Sequence, residues 1–232
     1  MSEQFQCNIN KIQINLGGNM YKIKSFVVGP LQSNSYIVWN NEKDALLFDI
    51  GSFEFTEILD FIKENSLNLK ALFLTHGHID HIAGVNLIMR IFPKLEVYIG
   101  KNEKEYLTNP EYNLSYNIFR QVFSVENMER IKFLKDEDSF YGVKVIDTPG
   151  HTKGGVSYYF VEEKYLISGD TLFAGSMGRT DFLGGNVDLL FKSLRKLCDT
   201  LPEETIVYSG HGYETTIAKE KMNLFGGYFD GY

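Results

Sequence analysis

An α/β fold is predicted by three features of this 232-residue chain. A strand-like stretch at residues 69–74 runs into the polar segment THGHIDH and then into a helix-like stretch at 82–91. Three further strand-like stretches, at 143–146, 165–167 and 205–208, end in DTPGHTKGG, SGDT and SGHG. All 5 histidines of the chain, at positions 76, 78, 81, 151 and 211, fall in these strand-end segments. Strand, polar loop, helix is the pattern of α/β units that place their site at the carboxyl ends of strands, and loops held by rigid strands are where sites are normally built.

The elements follow in order. Residues 22–28, 35–39 and 45–50 read as short strands, separated by Gly29 and Pro30 and by a polar turn at 40–44, and predict a hairpin or sheet start. Within 53–65, Phe55, Ile58, Leu59 and Ile62 keep the spacing of one helix face. The stretch 103–129 mixes Tyr106, Tyr112 and Tyr116 with Asn109, Pro110, Asn113 and Asn117 without sustained periodicity. It is expected to be a partly helical excursion near the opening of the site. Residues 172–186 form a glycine-bearing segment, and 187–197 return to helix with Leu190, Leu194 and Leu197 inward. The stretch 221–232 reads as a glycine- and aromatic-rich tail. One domain over residues 1–232 is expected, with strand ends converging on one edge of a sheet.

Composition removes several function classes. With 44% hydrophobic and 23% charged residues the chain can bury a sizeable core, so fibrous, disordered and disulfide-stapled classes are set aside. A net charge of −7 and the lack of a basic run argue against nucleic acid as a partner. The N-terminal segment has neither the basic start nor the apolar run of a signal peptide, and no long apolar stretch suits a membrane span, so a cytoplasmic location is expected. Cys7 and Cys198 sit at opposite ends of the chain and read as bystanders.

The chemistry is carried by His76, His78, Asp80 and His81. In a loop leaving a strand, His76 and His78 can turn to one side and Asp80 and His81 to another, offering two nitrogens to one metal and a nitrogen plus an oxygen to its neighbour. His151 and His211 would add one imidazole to each, and Asp170 is the natural bridge. Two divalent ions per chain are expected, zinc first, with iron or manganese accepted by the same nitrogen and oxygen donors. The lack of a nearby thiol argues against a closed structural zinc site. A lone strand-end histidine is more often a hydrogen-bonded loop residue, but here the entire histidine complement is involved. Two ions sharing a water lower its pKa and polarise an electrophilic oxygen, which implies hydrolysis without a protein nucleophile. A serine or cysteine mechanism would need a base, and every histidine is already committed.

THGHIDH, with His151 in TPGHTKGG, Asp170 in SGDTLF and His211 in SGHG, resembles the metallo-β-lactamase superfamily over about residues 22–223. The resemblance implies an αβ/βα sandwich of two mixed β-sheets flanked by helices, with metals at one edge of the sheets. It implies that His76, His78 and His151 hold one metal, that Asp80, His81 and His211 hold the second, and that Asp170 bridges. Asp49, in LLFDIGS, resembles the buried strand-end aspartate that supports the ligand loop without binding metal. Within the superfamily, GRTD at 178–181 with Gly184 and Gly185 is similar to the glyoxalase II-like group and to persulfide dioxygenases. GHGYETT with Glu220 and Asn223, together with Pro110, Asn113 and Ser115, looks more like the small glyoxalase II-like hydrolases.

What the resemblance implies is cleavage of a thioester of the S-acyl-glutathione kind, or a related ester, by a hydroxide bridging the metals, with Asp80 and Asp170 the catalytic carboxylates. A mononuclear iron persulfide dioxygenase, using His76, His151 and Asp170, is the alternative. A β-lactam hydrolase is less expected, because Asp170 stands where the best-known enzymes of that class place a cysteine. True glyoxalase II enzymes add a helical C-terminal region with basic glutathione contacts, and with 21 residues after His211 no such region is expected here. Arg179 is read as pairing with Asp181, the other role being a grip on a substrate carboxylate. The expected partner is a small-molecule thioester or ester, and a homodimer is left open.

Overall fold

Lys22–Val28 (β1), Ser33–Trp39 (β2) and Asp44–Phe48 (β3) make an antiparallel meander. They open the computed structural model, which describes residues 20–226. The turns are local chemistry. Gly29 takes the first at φ +67°, and the Asn40 carboxamide oxygen accepts from the amides of Glu42 and Asp44 in the second. Thr56–Glu64 (α1) buries Ile58 and Ile62 and returns the chain to Asn68–Leu74 (β4), which lies parallel to β3. The helix expected at 82–91 is two helices, Ile79–Ile82 (α2) and Val85–Ile91 (α3). The break falls at Ala83 and Gly84, and at Gly84 a Cβ would meet Ile50, Ser52 and Phe55 within 3 Å, so the junction packs too closely for a side chain.

Glu96–Gly100 (β5) and Ile131–Leu134 (β6) complete a first sheet in the order β1-β2-β3-β4-β5-β6. Between them lie a 3₁₀ turn, Lys101–Glu103, and Ser115–Phe119 (α4), the partly helical excursion. The second sheet is assembled from Ser139–Phe140 (β7), Val143–Asp147 (β8), Val156–Phe160 (β9) and Tyr165–Gly169 (β10). A hairpin, Leu172–Phe173 (β11) and Ser176–Met177 (β12), and Val187–Thr200 (α5) precede Ile206–Ser209 (β13) and Thr215–Thr216 (β14). Its order is β14-β13-β10-β9-β8-β7.

Ile217–Phe225 (α6) ends the described chain. The tail read from the sequence therefore begins inside a helix, capped at Thr216 by its side chain accepting from the Lys219 amide. Its last six residues and Cys7 lie outside the described residues. Cys198 is buried in α5, where burial pushes its thiol up to about 11.

Three apolar layers hold these elements together. Ile58, Ile62, Val85 and Ile88 pack under α1 and α3 against one face of the first sheet. Phe48, Phe73, Tyr158 and Phe160 fill the space between the sheets, and Leu190, Leu194, Leu197 and Ile217 join α5 and α6 to the second sheet. The result is the αβ/βα sandwich. Aromatic pairs such as Phe48 on Phe73 and Phe48 on Tyr158, with ring centroids 5.3 and 5.2 Å apart, add about 0.5–1.5 kcal/mol each beyond area burial. The Tyr158 hydroxyl crosses between sheets to donate to the Leu74 carbonyl at 2.6 Å, immediately before the first histidine loop. Among the described residues no helix is long and apolar enough to cross a membrane.

Candidate metal centre

The four polar clusters do follow the ends of β4, β8, β10 and β13, but they come from two sheets rather than from one edge of a single sheet. From the first sheet, β4 delivers Thr75 to His81. His76, His78, Asp80 and His81 are all buried. At the end of β3, Asp49 adopts φ +54°, a conformation that costs a non-glycine residue about 1–3 kcal/mol and persists only where its surroundings hold it. Three hydrogen bonds do so, all at 2.8 Å: Oδ1 accepts from the Thr75 amide, and Oδ2 accepts from Thr75 Oγ1 and from His81 Nδ1. Thr75 Oγ1 also lies 3.1 Å from His76 Nδ1. With its proton given to Asp49, that oxygen accepts from His76, so one carboxylate orients His81 directly and His76 through a hydroxyl, leaving both Nε2 atoms to the site.

The second sheet supplies His151, Asp170 and His211. His151 Nδ1 donates to the Arg179 carbonyl at 2.7 Å, which turns Nε2 inward. The loop carrying His211 is held by β2. The Asn34 amide donates to the Gly210 carbonyl at 2.7 Å, the Asn34 side chain donates to the carbonyls of Ser209 and Gly212, and the Tyr36 hydroxyl donates to Ser209 at 2.6 Å. Gly210 is required by this closeness, because a Cβ there would lie 2.1 Å from Asp170 Oδ1.

These loops bring together three overlapping sets of ligand atoms, each within 4.8 Å: His76, His78 and His151; His76, His81 and Asp170; Asp80, His81 and His211. Asp170 lies centrally. Its Oδ2 is 3.5 Å from His151 Nε2 and 3.6 Å from His211 Nε2. Its Oδ1 faces His81 Nε2 at 3.3 Å without completing a hydrogen bond. Asp80 reaches His211 Nε2 at 3.2 Å, and His78 Nδ1 meets His151 Nε2 at 2.9 Å. The buried Nε2 atoms of His76 and His81 and Oδ1 of Asp170, three residues of one set, have no hydrogen-bond partner. A buried polar atom left so costs about 1–3 kcal/mol, and a cation between these donors removes that cost, so the residues fit a metal.

The charges agree. Burial keeps His76 well below the ordinary imidazole range and pushes His78 down to about 3, so both are neutral donors at pH 7. At His81 burial is outweighed by Asp170, Asp49 and Asp80, which hold its proton well above the ordinary range. At Asp170 burial is outweighed by His81, His151 and His76, and its carboxyl stays well below the ordinary range.

Comparison with known proteins bears on this arrangement directly. A family description, that of the metallo-beta-lactamase superfamily, matches residues 28–211 and so spans the whole constellation. The chain belongs to the metallo-beta-lactamase superfamily. It is 34% identical over 215 residues to the hydroxyacylglutathione hydrolase GloC of Haemophilus influenzae, covering 87% of this chain and 95% of that one. Among solved structures it is similar to the BLEG-1 B3 metallo-beta-lactamase, with TM-score 0.80, 37% identity, and coverage of 88% of this chain and 99% of that one. It is also similar to TTHA1623, solved in a di-iron-bound form, with TM-score 0.78, 31% identity and coverage of 86% and 98%. The chain is thus a metal-dependent hydrolase of the metallo-beta-lactamase superfamily with a metal-binding His/Asp cluster.

Arg179 does not point a free guanidinium at this cluster. It grips Asp181 through two hydrogen bonds of 2.8 and 2.6 Å and stacks on Phe182, and both charged side chains are exposed. Sequence reasoning missed Thr75, Asn34, Tyr36 and Glu103. Glu103 is fully buried and accepts from the amides of Gly77 and Gly154, and burial outweighs those bonds to push its carboxyl up to about 7. Thr75 could have been suspected from its place before His76. Glu103 sits in the run KNEKE, which reads as a solvated charged turn.

Proposed function

We propose that this metallo-hydrolase holds two divalent ions and cleaves a thioester of the S-acyl-glutathione kind or a related small ester. The observation that carries the two-ion reading is the placement of Asp170 Oδ2, 3.5 Å from the His151 nitrogen of one set and 3.6 Å from the His211 nitrogen of another. His76, His78 and His151 would hold one ion, Asp80, His81 and His211 the other, with Asp170 between them. Zinc is the first choice, and the similarity to a di-iron protein supports iron as its competitor. Such ions, when bound, supply a hydroxide at neutral pH and polarise the scissile carbonyl.

The chain's own contribution is preorganisation. Asp49 and Thr75 fix the tautomers of His81 and His76, and the Arg179 carbonyl fixes that of His151. Phe182 stands beside His78 with its ring centroid 5.8 Å away, and Phe173 beside His211 at 6.1 Å, and both rings are half-buried. These two aromatic rings would give an acyl substituent apolar surface next to the ions' ligands. No protein nucleophile is required, since all five histidines lie in the cluster and Cys198 is buried in α5. Similarity to GloC supports the thioester as substrate class, and the partner of the reaction would be that small molecule, in a cytoplasmic setting.

Elemental analysis of untagged protein purified without chelator tests the reading, followed by turnover of S-lactoylglutathione, simpler thioesters and a β-lactam. Close to two ions per chain and thioester turnover are expected. One iron per chain with oxygen consumption on a glutathione persulfide would replace the proposal by a dioxygenase, and turnover of the β-lactam alone would replace its substrate.

A further inference from the structure

Glu103 carries a fully buried carboxyl group. Both its oxygens are spent on backbone amides, Oε2 accepting from Gly77 and Oε1 from Gly154, each at 2.7 Å. Gly77 lies between His76 and His78, in the loop after β4 of the first sheet. Gly154 follows His151, in the loop after β8 of the second. The 3₁₀ turn carrying Glu103 is therefore wedged between the two loops that supply the three imidazoles of one ligand set. The glycines make the wedge fit. A Cβ on Gly77 would lie 2.4 Å from Tyr106 Cβ, and one on Gly154 would lie 2.7 Å from the Asn102 backbone. A single side-chain group thus makes one short hydrogen bond to a loop of each sheet.

We propose that Glu103 is a positioning residue of the metal centre: one carboxylate ties the His76–His78 loop to the His151 loop and so sets the spacing of the three-histidine site. The inference rests on the two-ion reading above. It assigns Glu103 no contact with substrate or ion. Its consequence is selective, because the Asp80, His81 and His211 set is anchored by Asp49, Asn34 and Tyr36 and not by Glu103.

The test is chelator titration of zinc-loaded, full-length protein, comparing the parent with Glu103→Gln and with Glu105→Gln. Glutamine keeps the volume but turns an amide donor toward one of the two backbone N–H groups, so one tie is lost. Glu105 is exposed and bonds Lys153, and its variant is the control. In Glu103→Gln one of the two ions is expected to leave at about 10–100-fold lower chelator, the other as in the parent. The kcat should fall with KM little changed, and Glu105→Gln should match the parent throughout. Retention of both ions as in the parent overturns the proposal, and so does equal weakening of both together with loss of metal-free secondary structure. If Glu103→Gln does not fold, Glu103→Asp, which withdraws the charge by one methylene, is judged by the same selectivity. A parent that binds no zinc at two sites overturns the two-ion reading itself, and with it this one.

Discussion

His81 and His211 belong to the same set of ligand atoms yet occupy opposite surroundings. The His81 side chain is closed to solvent and its Nδ1 is tied to the Asp49 carboxylate, whereas 28% of the His211 side chain is exposed. The first-sheet loop is fixed by side-chain bonds to a strained, buried aspartate. The His211 loop is fixed by Asn34 and Tyr36 bonding its backbone carbonyls. The difference teaches that the β4 loop is closed off and held through its side chains, whereas the His211 side is the part of the cluster that meets solvent.

The largest effect should come from the residue both halves share. Asp170→Asn removes the charge that faces His81, His151 and His211 together, and it should cut turnover by more than the 10–100-fold typical of altering a supporting residue, with both ions weakened. Full metal content with unchanged turnover would show that Asp170 bridges nothing.

Next, the comparison can be broken directly. His76 contributes to two of the three ligand sets and His211 to one, so His76→Ala should retain less metal than His211→Ala. Exposure predicts a second contrast: free imidazole restores activity to His211→Ala, whose vacated position opens to solvent, and not to His76→Ala, whose side chain is buried. Equal rescue of the two, or of neither, would remove the distinction between the closed β4 loop and the solvent-facing His211 side.

How much of this was written in the sequence depends on where a residue's partner lies. The seven residues that the structure gathers into one His/Asp cluster were legible because histidine and aspartate at strand ends carry their chemistry in their type and position. Asp49 became legible only through its resemblance to a family pattern. Glu103, Asn34 and Tyr36 were not legible, since each acts through a backbone group contributed by a distant loop, and no local periodicity marks such a contact. The same reason hid β5, β6 and β14, which are short and defined by their neighbours in the sheet. The start of α6 was masked differently: Ala218 to Asn223 is largely charged and polar, and its helix is fixed by the Thr216 cap and by buried Ile217 and Glu220.

Acidification sharpens the contrast in the metal-free protein. Because burial lowers the His78 pKa to about 3, the unfolded chain takes up a proton below the ordinary value near 6.5 and the native chain does not. Native stability should therefore fall as pH drops from about 6.5 toward 3, by about 1.4 kcal/mol per pH unit for one such group. His81 has the opposite sign. Its raised pKa contributes stability that is complete below about 6.5 and is lost as pH rises through the folded value. His78→Asn should make the acid limb of the metal-free protein shallower without abolishing it, since buried His76 contributes with the same sign, and should leave the alkaline limb unchanged by thermal denaturation. An unchanged acid limb in that variant would mean that His78 titrates as it does in the unfolded chain.

The smallest effect is expected at Arg179. Its guanidinium is already engaged by Asp181 and by the face of Phe182, in a solvated position where an ion pair adds little to stability. What Arg179 gives the centre is its backbone carbonyl, which fixes His151 and which no side-chain substitution removes. Arg179→Ala should consequently leave metal content, unfolding temperature and kcat at parental values. Steady-state kinetics on a carboxylate-bearing and an uncharged thioester decides the matter. A KM raised about tenfold for the carboxylate-bearing substrate alone would mean that the guanidinium leaves Asp181 to bind it, since uniform binding lost without a change in kcat is the signature of a ground-state contact. Equal kinetic constants on both substrates would leave the Arg179–Asp181 pair as an anchor of the glycine-bearing loop.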